Sequence, residues 1–289
     1  MKRLPVLAAL AVGSLALAAC SPADDSSSDQ TPTASASIAC TPESLATTTP
    51  GTLTIATGDP AYEPWVVGDA PESGEGFEAA VAYAAAQQLG FGKDDVAWVR
   101  STFDSAIAPG PKDFDWNLQQ FSITEDREKA VDFSSSYFDV NQAVISYADS
   151  PIAKATALAD LKTAKLGAAI GSTSLEAAQT EIAPEQDVSV FNDNAAAVSA
   201  LKNGQVDGLV VDLPTAFYLV AAEIDDGVIV GQIPASQGGT SDQFGILLAN
   251  DSPLTACTTQ AVDALRADGT LDSLAETWLG SDAGAPTLS

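Results

Sequence analysis

The sequence has no histidine, one methionine, three cysteines, and 12 basic residues against 39 acidic ones. Without histidine, acid–base or metal chemistry that depends on imidazole is excluded. A formal charge of −27 argues against nucleic acid as a partner, because phosphate recognition needs a basic footprint. An acidic surface is first a statement about solubility and does not by itself call for a cationic ligand. Long apolar runs are also scarce. The one at the start, Val6 to Ala18, is shorter than the roughly 20 residues a bilayer-spanning helix needs. No second such span and no internal repeat follows.

That opening segment has the make-up of an export signal. Met1-Lys-Arg-Leu-Pro is a short basic region, the apolar run follows, and Leu17-Ala-Ala-Cys20 resembles a bacterial lipobox. The expectation is a signal peptide over 1–19, with Cys20 becoming an acylated N-terminus at the outer face of the cell membrane. Ser21 to about Ala39 is Ser, Thr, Asp, Ala and Pro, too poor in large apolar side chains to fold. Residues 20–50 are therefore expected as a lipid-anchored flexible tether. Loss of Lys2 and Arg3 leaves 39 acids against 10 bases. With Cys20 lipidated, Cys40 and Cys257 remain as a pair in an oxidising compartment, and a disulfide between them is expected. The alternative is two separate buried thiols, since sequence does not show proximity.

About 240 residues remain, enough for two lobes of ordinary size. Apolar runs bounded by turn residues alternate with helical patterns. Strands are expected at 53–57, 96–100, 115–120, 142–147, 165–170, 189–191, 207–212, 228–233 and 244–249. Helices are expected at 76–89, 175–182, 195–202, 214–223, 254–266 and 271–278. The alternation predicts an α/β protein with parallel-type sheets flanked by helices. In such folds ligands bind beyond the carboxyl ends of the strands.

Four stretches carry chemistry. Phe121-Ser122-Ile-Thr-Glu-Asp-Arg127 follows a strand-like run and opens what reads as a short helix, a place where N–H groups, hydroxyls and a guanidinium fork gather for an anion. A bland alternative is a solvated Arg127 pairing with Glu125 or Glu128. Gly171-Ser172-Thr173-Ser-Leu-Glu176 follows another strand and reads as a capping box of Thr173 with Glu176, which leaves helix N–H groups for a carboxylate. Asp212 ends a buried strand before Leu213-Pro214, so it is an N-cap, a ligand contact, or both. Thr57-Gly-Asp59-Pro-Ala-Tyr62-Glu-Pro-Trp65 adds two aromatic residues after the first strand, of which Trp65 equally suits a core.

The string Ser-Ile-Thr-x-x-Arg-x-x-x-Val-Asp-Phe-Ser-x-x-Tyr resembles the signature of the polar-amino-acid type of ABC-transporter solute-binding proteins, family 3. The element order resembles that family from Gly51 to about Gly280. The resemblance implies two lobes joined by two crossings: lobe 1 over 51–147 plus 245–281, lobe 2 over 148–244, crossings near 145–148 and 241–244, and a tail at 282–289. It implies that Arg127 clamps a ligand α-carboxylate with Ser122, that Thr173 and, more weakly, Ser172 add contacts from lobe 2, and that Asp212 receives the α-ammonium. Tyr62, Trp65, Asp59 and Phe103 would then surround the side chain; Gln120 and Gln243 are weaker candidates, and Trp278 is read as packing.

The function so implied is capture of a free amino acid by hinge closure and delivery to an ABC permease, by a monomer with no cofactor or metal and no catalytic residue. Asp59 and Gln120 favour a polar or basic amino acid. Two rivals share the fold: a prephenate- or arogenate-type dehydratase, which needs a general acid such as Glu125 or Asp59 in the cleft, and a sensor subunit presenting ligand to a receptor.

Overall fold

The computed structural model of the protein describes residues 39–234, 241–280 and 285–289. Cys20, the expected signal peptide and most of the expected tether lie outside these residues. Near the start of the described part, Cys40 is disulfide-bonded to Cys257 with Cα atoms 5.5 Å apart.

In chain order the elements are β1 (Leu53–Thr57), α1 (Phe77–Gln88), β2 (Val96–Arg100), α2 (Phe103–Ile107), β3 (Trp116–Asn117), β4 (Val131–Val140), β5 (Gln142–Tyr147), β6 (Leu166–Ala169), α3 (Thr173–Ala177), β7 (Ser189–Phe191), α4 (Asn194–Lys202), β8 (Gly208–Asp212), α5 (Leu213–Tyr218), β9 (Gly227–Gln232), β10 (Asp242–Ala249), α6 (Thr255–Ala267) and α7 (Thr270–Leu279). They form two five-stranded sheets, ordered β2-β1-β3-β10-β4 and β7-β6-β8-β5-β9. The fold is two-lobed α/β, but each sheet is mixed. β1 with β2 and β3, and β6 with β7 and β8, are parallel. The strands next to the crossings, β4, β5, β9 and β10, pair antiparallel. The chain enters one sheet and leaves the other there, so neighbouring strands run in opposite senses.

Each lobe has its own core. In the first, α1, α6 and α7 cover the sheet through Phe77, Val81, Ala85, Val262, Leu265 and Leu271. Gly76, at φ +103°, starts α1 where a Cβ would meet the Trp65 carbonyl at 2.5 Å, so only glycine lets that turn approach so closely. In the second, α4 and α5 pack on one face of the sheet and the region around α3 on the other.

Four sequence expectations need correction. The segment after Phe121 is not a helix: one 3-10 turn, Arg127–Lys129, leads into the ten-residue strand β4. Ser134-Ser-Ser has little strand propensity, and pairing with β10 decides the conformation. The first crossing is not at 145–148, because 142–147 is β5 and already pairs with β8 and β9 of the second lobe; the chain crosses at Asn141. The second crossing falls between Ile233, still bonded to Gln142, and Asp242, which opens β10 beside Val140, and so precedes most of 241–244. Finally, the segment 285–289 is not a loose tail. It bonds to β9 and buries Leu288 at 1% exposure in the second core.

Candidate functional site

A cavity of about 100 Å³ opens between the two sheets. Its walls come from the segments that follow β1, β6, β7 and β8, the carboxyl ends of strands where α/β sheets place their ligands. Arg127, Ser172, Thr173, Asp212, Tyr62, Trp65, Phe103 and Gln120 all line it. Ser122, Asp59 and Gln243 do not.

Arg127 is 9% exposed. Its Nη1 donates to the Ser122 carbonyl at 2.7 Å and its Nη2 to the Gly171 carbonyl at 2.9 Å, so the side chain spans the lobes. The guanidinium carbon lies 5.3 Å from the centre of the Phe103 ring, which is itself stacked on Phe121 at 4.9 Å. Burial pulls the guanidinium below its ordinary pKa, and Asp212, Asp242 and Glu176 oppose that pull. Arginine has five N–H donors, so after these two bonds it keeps donors for an anion. The pairing with Glu125 or Glu128 weighed from sequence is not formed.

Ser122 is buried behind the wall, its hydroxyl 3.1 Å from that of Thr173. Thr173 is not the cap of α3. Ser172 is, accepting from the Leu175 N–H at 3.1 Å, and Glu176 completes no box. Shifting the cap by one residue frees the Thr173 hydroxyl to face the cleft.

Asp212 sits in the N-cap position of α5 but makes no side-chain cap bond. Its Oδ1 instead accepts from Gln142 Nε2 at 2.8 Å, and the same nitrogen donates to Asp242 Oδ2 at 2.9 Å. Gln142 is held in turn by Ser174, whose hydroxyl donates to its Oε1 at 2.6 Å. Burial pushes the Asp212 carboxyl up to about 7, and repulsion from Asp242 and Glu78 adds to this while Gln142 and Arg127 pull back. The cavity thus holds a buried cation and, on the facing lobe, a half-buried carboxyl with one donor.

The aromatic residues divide. Tyr62 is half-buried in the wall, and burial together with Asp193 and Asp69 raises its phenol pKa. Trp65 is a core residue at 1% exposure, against Phe77, Phe138 and Phe244, and it also reaches the other lobe by donating to Thr215 at 3.0 Å. Asp59 is exposed and is not among the residues that line the cavity, although its neighbours Gly58 and Pro60 are, so the part expected of it is not supported. Gln243 is likewise exposed and bonds Asp139 at 2.9 Å.

Gln120 lines the cavity in a left-handed conformation, φ +52°, uncommon outside glycine. Glu78 holds it there. The Glu78 carboxylate accepts from the Gln120 N–H at 2.7 Å, from its side-chain amide, and from the Tyr137 hydroxyl. Sequence reasoning missed Glu78, which sits on the buried face of α1, and it missed Gln142 and Asp242. It also missed Asn192, Asp193 and Asn194, although a polar triplet running from the end of β7 into the start of α4 is the same end-of-strand signal that marks Asp212. A second space of about 220 Å³ adjoins the first, shares Tyr62, Trp65, Gln120 and Asn194 with it, and adds Glu63, Lys202 and Glu223.

Comparison with known proteins agrees with this geometry. The profile of the bacterial extracellular solute-binding proteins, family 3, matches residues 53–281. The glutamine-binding protein of an ABC transporter of Bacillus subtilis (strain 168) is 30% identical over 217 residues, 73% of this chain and 76% of that protein. Among solved structures, an ancestral arginine-binding protein bound to glutamine superposes with a TM-score of 0.66 at 31% identity, covering 80% of this chain and 99% of its own. An ancestral amino acid-binding protein described as a precursor of cyclohexadienyl dehydratase gives 0.64 at 30% identity, covering 79% and 95%. With two lobes, a charged cleft between them and a match over most of its length, the chain belongs to family 3 of the bacterial extracellular solute-binding proteins.

Proposed function

We propose that this protein captures a free amino acid outside the cytoplasmic membrane and hands it to the permease of an ABC transporter. The observation that carries the reading is the pair Arg127 and Asp212 at one interlobe cavity: a fixed cation with donors left over, facing a carboxyl with one partner. That is the complement of an α-carboxylate and an α-ammonium on one small molecule. The carboxylate takes the remaining Arg127 N–H groups and the Thr173 hydroxyl, with Ser172 beside it, and the ammonium takes Asp212. Tyr62 and Phe103 flank the side chain. Among the described residues Arg127 is the only basic one lining the cavity, whereas Gln119, Gln120, Asn192 and Asp193 bring amides and a carboxylate; in the adjoining space Lys202 is paired with Glu223 at 3.8 Å. This supports a polar or basic side chain, in keeping with relatives named for glutamine and arginine. A ligand that touches both lobes stabilises the closed arrangement by its differential contacts, and no bond is made or broken.

Acylation of Cys20 would hold the protein at the outer membrane face, a reading that rests on Leu17-Ala-Ala-Cys20. No observation favours the dehydratase: neither Asp59 nor Glu125, the general acids it called for, is among the residues that line the cavity.

A thermal-shift screen of ligand-stripped protein against the twenty amino acids tests the reading. At 100 times Kd a ligand adds about 2.7 kcal/mol, which is a shift of several degrees. A rise with one or a few amino acids is expected. A flat response from well-folded protein, together with turnover of prephenate, would replace the binding reading with the enzyme. Cys20→Ser is expected to release the protein from the membrane fraction, and its retention there would sink the anchor.

A further inference from the structure

Much of the cavity wall comes from one segment, the loop between β1 and α1, which contributes Gly58, Pro60, Ala61, Tyr62, Trp65 and Val66. Packing secures its second half. Trp65 and Val66 are 1% exposed, and at the start of α1 the N–H groups of Phe77 and Glu78 donate to the Pro64 and Trp65 carbonyls, both at 3.0 Å. The first half has less to rest on, since Asp59 and Pro60 are exposed and Tyr62 is half-buried. A surface loop without packing is mobile unless its backbone is bonded elsewhere.

Those bonds come from Arg100, the last residue of β2, which stands beside Thr57 in the parallel register of the sheet. Its Nη1 donates to the Gly58 carbonyl at 2.8 Å and to Asp69 Oδ1 at 2.5 Å, and its Nη2 donates to the Asp69 carbonyl at 2.7 Å. The same Asp69 oxygen accepts from the Ala61 N–H at 2.8 Å. Asp69 is left-handed, φ +54°, a conformation in which aspartate and asparagine are enriched. The clasp therefore grips the backbone of two wall residues, Gly58 and Ala61, on either side of Asp59-Pro60, while neither Arg100 nor Asp69 is among the residues that line the cavity. With side chains 32% and 46% exposed, the ion pair adds little to overall stability. What it fixes is the course of the loop, and a guanidinium fork reaches three acceptors where an ammonium is a single point charge.

We infer that Arg100 and Asp69 are positioning residues of the binding site: their clasp holds residues 58–62 in place as a preformed wall, and so sets how tightly the cavity grips the part of a ligand that Tyr62 faces. This rests on the reading that the cavity takes an amino acid. A wall that is already ordered need not be ordered when the ligand arrives, and that cost otherwise comes off the affinity. The α-carboxylate and α-ammonium are assigned to Arg127, Thr173 and Asp212, which stand on other segments, so the clasp acts on the side-chain end of the ligand.

Three variants test this. Asp69→Gly and Asp69→Asn both admit a left-handed backbone, but only asparagine keeps an oxygen for Ala61 and Arg100; Arg100→Lys keeps the charge and loses the fork. Amide exchange of ligand-free protein reads the wall directly. Trp65 and Val66 donate to the Tyr62 carbonyl at 3.1 and 2.9 Å, bonds that none of the substitutions removes. Their exchange is expected to quicken about tenfold or more in Asp69→Gly and Arg100→Lys, while amides within α1 and β5 keep their rates. Calorimetry with the amino acid found by the thermal screen is expected to show affinity lower by roughly 3- to 10-fold in both, with Asp69→Asn recovering most of the loss. Unchanged exchange at Trp65 and Val66 would overturn the inference, as would quickened exchange with wild-type affinity. Quickening spread through α1 would make the clasp a plain stabiliser of the lobe, and a loss in Asp69→Asn equal to that in Asp69→Gly would show that the bonds to the loop are not what matters. If no amino acid binds the wild-type protein, the binding reading falls, and exchange at Trp65 and Val66 alone decides whether the clasp holds the wall.

Discussion

Glu78 on the first lobe and Asp212 on the second are both carboxyls that burial pushes up to about 7, and both border the cavity region, yet their surroundings differ. Glu78 is 1% exposed and takes three donors, two from Gln120 and one from Tyr137. Those bonds occupy the carboxylate and fix the backbone of Gln120. Asp212 takes one donor, and that nitrogen is shared with Asp242. A polar group held out of water and short of partners is costly, and the ammonium of the proposed ligand would relieve that cost. Burial alone therefore does not mark a binding residue; the unfilled acceptor capacity does. The carboxyl with spent lone pairs holds the wall, and the one with lone pairs to spare lines the cavity, where the proposed ligand's ammonium would meet it.

The strongest way to break that comparison is to neutralise the receiving side. Asp212→Asn is expected to weaken binding of α-amino acids by about 100-fold or more, since losing one partner of a buried charge pair costs roughly 2–5 kcal/mol. Des-amino analogues should lose far less. Arg127→Ala should weaken both classes by a similar factor. Calorimetry with the amino acid found by the thermal screen checks all of these, and near wild-type affinity in both variants would remove the assigned site.

Next in size is the effect of pH on affinity. The ammonium needs the ionised Asp212, so below about pH 7 binding must first expel a proton. Affinity is expected to fall by up to about tenfold per pH unit from 7 towards 5, and Asp212→Asn should flatten that slope. Stability of the empty protein should run the other way. Both carboxyls have folded pKa values raised above their unfolded ones, so the folded state holds more protons, and stability falls as pH rises from about 4.5 to about 7. Above that range the penalty approaches about 3 kcal/mol for Glu78 and about 4 kcal/mol for Asp212. Melting temperatures should accordingly be higher at pH 5.5 than at pH 8, and Glu78→Gln should remove part of the difference. The smallest effect concerns ligand affinity in Glu78→Gln. The amide still bonds Gln120 and Tyr137 in part, so binding should stay within a few-fold of wild type even as the pH profile of melting changes. A loss as large as that of Asp212→Asn would erase the distinction between the two carboxyls.

Arg127, Thr173 and Asp212 were legible in the sequence because each lies where an apolar run ends or within a spaced signature, and such positions project from a sheet's carboxyl edge whatever the details of packing. Asp59 belonged to a similar pattern, but it is exposed and stands outside the cavity lining. Glu78 gave no signal: it reads as one more position on α1, and its meaning comes from Gln120, 42 residues away. Gln142 and Asp242 are 100 residues apart in the chain and meet only because the two crossings run side by side. The strand β4 was hidden for the same reason, since its serines favour no element until β10 lies beside them.

By itself the sequence determined the α/β alternation, the two-lobe size, the family signature and the chemical types at the ends of the strands. These rest on short-range periodicity and local backbone preference, which are properties of neighbours in the chain. The tertiary structure alone decided the mixed sheets, the crossing at Asn141, the left-handed Gln120 held by Glu78, the sharing of Gln142 between two carboxylates, and the return of residues 285–289 to the second lobe. Each of these depends on which distant donors and acceptors are brought within hydrogen-bond reach, and that is set only when the sheets have paired.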